Sequence, residues 1–137
     1  MAKFALHERL AADTIEVTRW PLSLVLLMNA HQWPWLILVP RRADIREIHE
    51  LQEPDQRVLM VEIVWASRAL TQLVKPHKIN IGALGNVVPQ LHVHVIARFT
   101  DDPAWPKPVW GTVAPEPYAD DELLRRVEDF KGALADG

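Results

Sequence analysis

Apolar and polar positions change their period several times along this chain, and each change marks an element. Ile15-Glu16-Val17-Thr18-Arg19-Trp20 alternates with a period of two, the mark of a half-buried strand. Ser23 to Met28 and Trp35 to Val39 are continuous apolar runs of strand length, and Asn29-Ala30-His31-Gln32 turns between them, which predicts an antiparallel hairpin. Pro54 suits the first turn of a helix, where its missing N–H is not needed. Val58, Val61, Trp65, Ala69 and Leu73 then share one face until Lys75-Pro76, predicting a helix over residues 54–75. Lys78 to Ile81 reads as a short strand and Gly82-Ala83-Leu84-Gly85-Asn86 as a turn. Gln90 to Arg98 alternates again, with Gln90, His92 and His94 on one face and Leu91, Val93 and Val95 toward the core. Beyond the proline-rich stretch from Pro103 to Pro117, Asp120-Asp121-Glu122 puts acid at the start of a last helix. Leu123, Leu124, Val127, Phe130 and Leu134 form its apolar stripe. Strands, helix, strands and helix in that order predict an α+β domain with an antiparallel sheet.

Composition narrows the partners more than the fold. The 137 residues suffice for one ordinary core, so one domain over residues 1–137 is expected. With 49% apolar and 24% charged residues of both signs, the chain has the balance of a folded protein. A net charge of -3 leaves no basic footprint for long nucleic acid. No apolar stretch reaches membrane-spanning length, and Met1 to Arg9 becomes charged before a signal-peptide core can form, so the cytoplasm is the expected compartment. There is no cysteine, which removes disulfides and thiolate metal sites.

Chemistry concentrates at Gln90-Leu91-His92-Val93-His94-Val95-Ile96, where two imidazoles project from alternate strand positions and can act on one ligand. A pair of histidines on a sheet face need do no more than hydrogen-bond to solvent; the turn before them carries the difference. Gly82, Gly85 and Asn86 permit positive φ and a close approach of backbone N–H groups to phosphate oxygens. The whole segment from Asn80 to Ile96 resembles the signature of the histidine triad family: an asparagine, a glycine-bearing turn, then histidines alternating with apolar residues. The upstream order is similar too, with a strand ending in Leu27-Met28-Asn29, a second ending in Val39-Pro40-Arg41, and a long helix.

This resemblance implies a histidine triad fold and a nucleotide hydrolase or nucleotidyl transferase. His92 would attack the α-phosphorus of a dinucleoside polyphosphate or nucleoside phosphoramidate, forming a nucleotidyl-histidine that water hydrolyses. A protonated His94 and the turn around Gly85 would stabilise phosphoryl charge. By the same resemblance Asn80 and Asn86 would contact phosphate, Asn29 would bind ribose, and the protein would be a homodimer; asparagines also serve turns through local hydrogen bonds. Three positions depart from the family pattern: Gln90 stands in place of the first histidine, Val87 in place of a hydroxyl residue near the leaving group, and Trp35 in place of a histidine opening the second strand. Gln90 can orient a neighbour beside the nucleophile but cannot relay a proton, so a nucleotide-binding module with little turnover remains the alternative. A metal on the His92-x-His94 pair would want three or four ligands, and no carboxylate or cysteine lies near it in sequence, so neither metal nor cofactor is expected. His7, His31, His49 and His77 read as ordinary surface residues, Trp65 as core, and Trp105 and Trp110 as packing residues rather than base-stacking ones.

Overall fold

The structure, a computed structural model, describes residues 3–135; Met1, Ala2, Asp136 and Gly137 lie outside the described residues. The elements are α1 (Glu8–Asp13), β1 (Thr14–Arg19), β2 (Ser23–Met28), β3 (Trp35–Pro40), α2 (Glu53–Val74), β4 (Lys78–Gly82), β5 (Val93–Arg98) and α3 (Asp120–Leu134), with a short 3-10 turn at Ile48–Glu50 before α2. The strands form one five-stranded sheet in the order β1-β2-β3-β5-β4, with every neighbouring pair antiparallel. This is the expected α+β architecture.

Both faces of the sheet are covered, which is why β2, β3 and β5 lack the polar alternation of a half-exposed strand. On one face Leu36, Leu38, Val93, Val95 and Ala97 pack against Leu59, Ala66 and Leu70 of α2 and Phe130 of α3. On the other, Leu24, Leu26, Ile37 and Ile96 pack beneath Leu10 of α1 and Ala104 and Val109 of the proline-rich loop. Trp65 is half-buried and meets Trp20 edge to face at 5.4 Å. The exposed face of α2 includes Val61, and that of α3 includes Leu124; both were expected on the buried stripes. In α2 the buried stripe runs through Leu59, Ile63, Ala66, Ala69 and Leu70, with Val58, Trp65 and Leu73 partly buried against the same core, so Val61 alone of the expected line falls on the exposed face. α1, with no apolar period of its own, is an addition to the sequence reading. His7 Nδ1 caps it, accepting from the Arg9 N–H at 3.0 Å.

The strand expected from Gln90 begins only at Val93. Its partners run out there: β4 ends at Gly82 opposite His94, and the β3 ladder ends at Leu38 opposite Val93. The Leu91 N–H turns away to donate to the Ile45 carbonyl at 2.9 Å.

Candidate active site

His92 immediately precedes β5 and His94 lies within it, between β3 and β4, so the best-supported part of the sheet carries the pair. Both are almost fully buried, each 7% exposed, with ring centroids 4.9 Å apart. The main chain orients His92: its Nδ1 lies 2.7 Å from the Gln90 carbonyl oxygen, which can only accept, so Nδ1 carries the proton and Nε2 keeps its lone pair. His94 has the opposite arrangement. Its Nδ1 accepts from the Trp35 indole N–H at 3.0 Å, which leaves the proton on Nε2.

The environment of His94 corrects the expectation that it is protonated. Burial, and then the nearby His92, push its pKa from 6.5 down to about 3. Trp35 and Trp110 crowd its ring, with centroids at 5.6 and 5.4 Å. At neutral pH His94 is therefore an uncharged N–H donor beside the His92 ring.

A cavity of about 360 Å³ opens over the pair. Met28, Trp35, Ile37, Val88 and Trp110 make much of its wall apolar, α1 contributes Arg9, Leu10 and Asp13, and the turn contributes Leu84 to Val88. A second cavity, also of about 360 Å³, shares Leu84, Gly85 and His92 with the first and has Arg46, His49 and Gln56 on its far side. Gly85 adopts the left-handed φ of +69° that the turn requires. Gly82 has a different reason: a Cβ there would come within 3.1 Å of the Trp110 ring, so glycine makes room for the indole that closes over His94. Trp110 thus packs as expected, but inside the site.

The other expected site residues divide. Asn86 lines the cavity beside His92. Asn29 follows β2 next to the cavity residue Met28, yet its Oδ1 accepts from the Tyr118 N–H at 2.9 Å and ties down the segment leading to α3. Asn80 lines neither cavity; its Oδ1 accepts from Arg98 at 2.8 Å. The Gln90 side chain does not join the histidines either, because it is bonded to the N-terminal segment at Ala5 and His7. Val87 is 80% exposed at the cavity rim and brings no hydroxyl. Of the remaining histidines, His31 pairs with Glu116 and His77 packs against Trp105. Trp35 and α1 are the site features that sequence reasoning missed. No periodic signal announces a helix of six residues, and nothing local ties residue 35 to residue 94. Among the described residues no group of three or more His, Asp or Glu side chains is disposed to hold a metal.

The model of the HIT domain matches residues 9–101, which takes in all of α1 but its first residue, the whole sheet, α2 and the histidine pair. The chain belongs to the HIT domain family. Its similarity to solved histidine triad proteins extends over nearly its whole length. A histidine triad protein from Marinobacter aquaeolei is 46% identical, with 98% of each chain covered and a TM-score of 0.95. One from Bradyrhizobium japonicum is 47% identical over 97% of this chain and 99% of that one, with a TM-score of 0.93. Another from Sinorhizobium meliloti is 47% identical over 96% of this chain and 97% of that one, with a TM-score of 0.92. No curated protein matches it. For this HIT domain, Gln90 and Trp35 are bonded parts of the site's framework, each holding a different piece of it.

Proposed function

We propose that this HIT domain, one domain over residues 1–137, is a nucleotide hydrolase or nucleotidyl transferase acting at the α-phosphate of a dinucleoside polyphosphate or nucleoside phosphoramidate. The observation that carries the reading is the bond from His92 Nδ1 to the Gln90 carbonyl, which leaves the Nε2 lone pair beside the Gly85 turn. In the first step Nε2 forms a bond to the α-phosphorus and the bond to the leaving group breaks, its electron pair departing with the leaving group. In the second, water forms a new P–O bond and gives up a proton to solvent while the P–N bond breaks, returning the electron pair to Nε2. Neutral His94, with its proton on Nε2, serves as a hydrogen-bond donor to a phosphoryl oxygen. The apolar walls of Met28, Ile37 and Val88 suit a nucleobase, and Asn86 and the backbone around Gly85 suit phosphate oxygens. The protein acts as a homodimer, and no metal or cofactor takes part.

Alkaline quenching of a reaction with labelled nucleotide tests the nucleophile, because a phosphorus–nitrogen bond survives base better than acid. Label is expected on His92 and none on His92→Ala. An alanine variant that turns over at the wild-type rate would remove the assignment. His94→Ala is expected to slow turnover by roughly 10²–10³, the loss of one charge-stabilising donor. A nucleotide-binding module with little turnover is the second reading, favoured by the engagement of Asn29 and Asn80 elsewhere and by the missing hydroxyl at Val87. Burst kinetics with a nitrophenyl nucleotide ester separates the two, since only the enzyme releases a stoichiometric burst followed by turnover.

A further inference from the structure

α1 has only six residues, too few to be stable alone, yet Arg9, Leu10 and Asp13 form one wall of the cavity over His92 and His94. Something must hold it. Besides the burial of Leu10, the segment entering α1 is gripped by the Gln90 side chain: Oε1 accepts from the His7 N–H at 2.8 Å and Nε2 donates to the Ala5 carbonyl at 2.9 Å. The amide thus imitates a peptide group, pairing with a backbone donor and a backbone acceptor two residues apart. A carboxylate could only accept, and an imidazole carries its donor and acceptor on different sides of a ring. His7 transmits the grip, because its ring caps α1 through the Arg9 N–H. The main-chain carbonyl of Gln90 meanwhile orients His92.

We propose that Gln90 is a positioning residue whose side chain pins the Ala5–His7 segment, and through it the α1 wall of the cavity, so that it sets nucleotide affinity and takes no part in proton transfer. The proposal rests on the cavity being the nucleotide site. It makes the glutamine a replacement with its own task rather than a weakened histidine, so restoring histidine here loosens the wall instead of speeding the chemistry.

The test measures amide hydrogen exchange across residues 8–13, AMP affinity, and steady-state kinetics with a nitrophenyl ester and a poorer leaving group. It uses Gln90→Ala, Gln90→His and the near-isosteric Gln90→Glu. In all three, exchange at Arg9 and Ala11 should quicken. The AMP dissociation constant and KM should rise about tenfold in Gln90→Ala, the scale of two neutral hydrogen bonds, with kcat for either leaving group within about threefold of wild type. A fall in kcat at constant KM, a gain in Gln90→His confined to the poor leaving group, or unchanged exchange in the segment would each overturn the proposal. Wild-type protein that binds no AMP would overturn the nucleotide reading, and the exchange data would then decide by themselves whether Gln90 holds the segment.

Discussion

Trp35 shows how one side chain can choose the form in which another works. Its indole N–H is a donor only, so the His94 nitrogen that faces it must be an acceptor, and the imidazole proton is driven to the far nitrogen. Protonating His94 would put two donors face to face as well as charging a buried ring, and burial and His92 already hold its pKa near 3. Because the folded-state value is depressed, unfolded chains bind the extra proton first. The stability that His94 contributes is full above pH 6.5 and is lost as pH falls toward 3, at roughly 1.4 kcal/mol per pH unit. Trp35→Phe should shorten that window from below by raising the His94 pKa, and should let the ring populate the tautomer with its proton on Nδ1. Nitrogen-15 spectra of the two histidines across pH 3 to 7 would report both. A His94 signal that titrates alike in wild type and Trp35→Phe would show that the indole does not set the imidazole's state. From the sequence, residue 35 was only a place where a histidine was missing. The 3.0 Å bond between two strands supplies the meaning, because cross-strand neighbours 59 positions apart leave no local trace.

At the scale of elements, the end of β5 is tied to the proline-rich loop that carries Trp110. Arg98 is 1% exposed and bonds Asp102, Asn80 and the Lys107 carbonyl. Burial raises the Asp102 pKa, but the Arg98 guanidinium and the N–H groups of Phe99 and Ala104 outweigh it and hold the carboxyl well below its usual range. Removing one partner of such a pair strands a buried charge, so Arg98→Met is expected to cost about 3–5 kcal/mol in denaturant unfolding. Arg98→Met with Asp102→Leu should recover part of that loss; a double variant no more stable than the single one would contradict the charge argument. The same network gives Asn80 a partner that its place in the sequence does not show, an arginine brought alongside by β-pairing. Where a continuous apolar run or a proline marked the bounds the reading matched closely: β2 spans Ser23–Met28 and α2 Glu53–Val74. It failed at Gln90, because a strand needs partners as well as alternation.

Apolar side chains stay exposed on two elements of the molecule, and the proposed dimer would cover them. Met60, Val61 and Val64 are exposed on α2, and Ile81 is exposed on β4 at the sheet's edge. An open edge strand and exposed apolar side chains each favour pairing with another copy. Light scattering should give twice the chain mass, and Val64→Glu together with Ile81→Lys should halve it; a monomeric wild type at high concentration would refute the dimer. The amino-acid sequence by itself determined the five strands, the two longer helices, the antiparallel class and the histidine pair with its turn, because periodicity, turn residues and spacing along one strand are local properties. Only the tertiary structure decided that His94 is neutral, that Trp35 sets its tautomer, that Gln90 grips the N-terminal segment, and that Asn29 and Asn80 each bond the framework through Oδ1. Those outcomes depend on burial and on partners 18 to 89 residues away, and hydrogen-bonding capacity is assigned only when the packed chain brings donor and acceptor together.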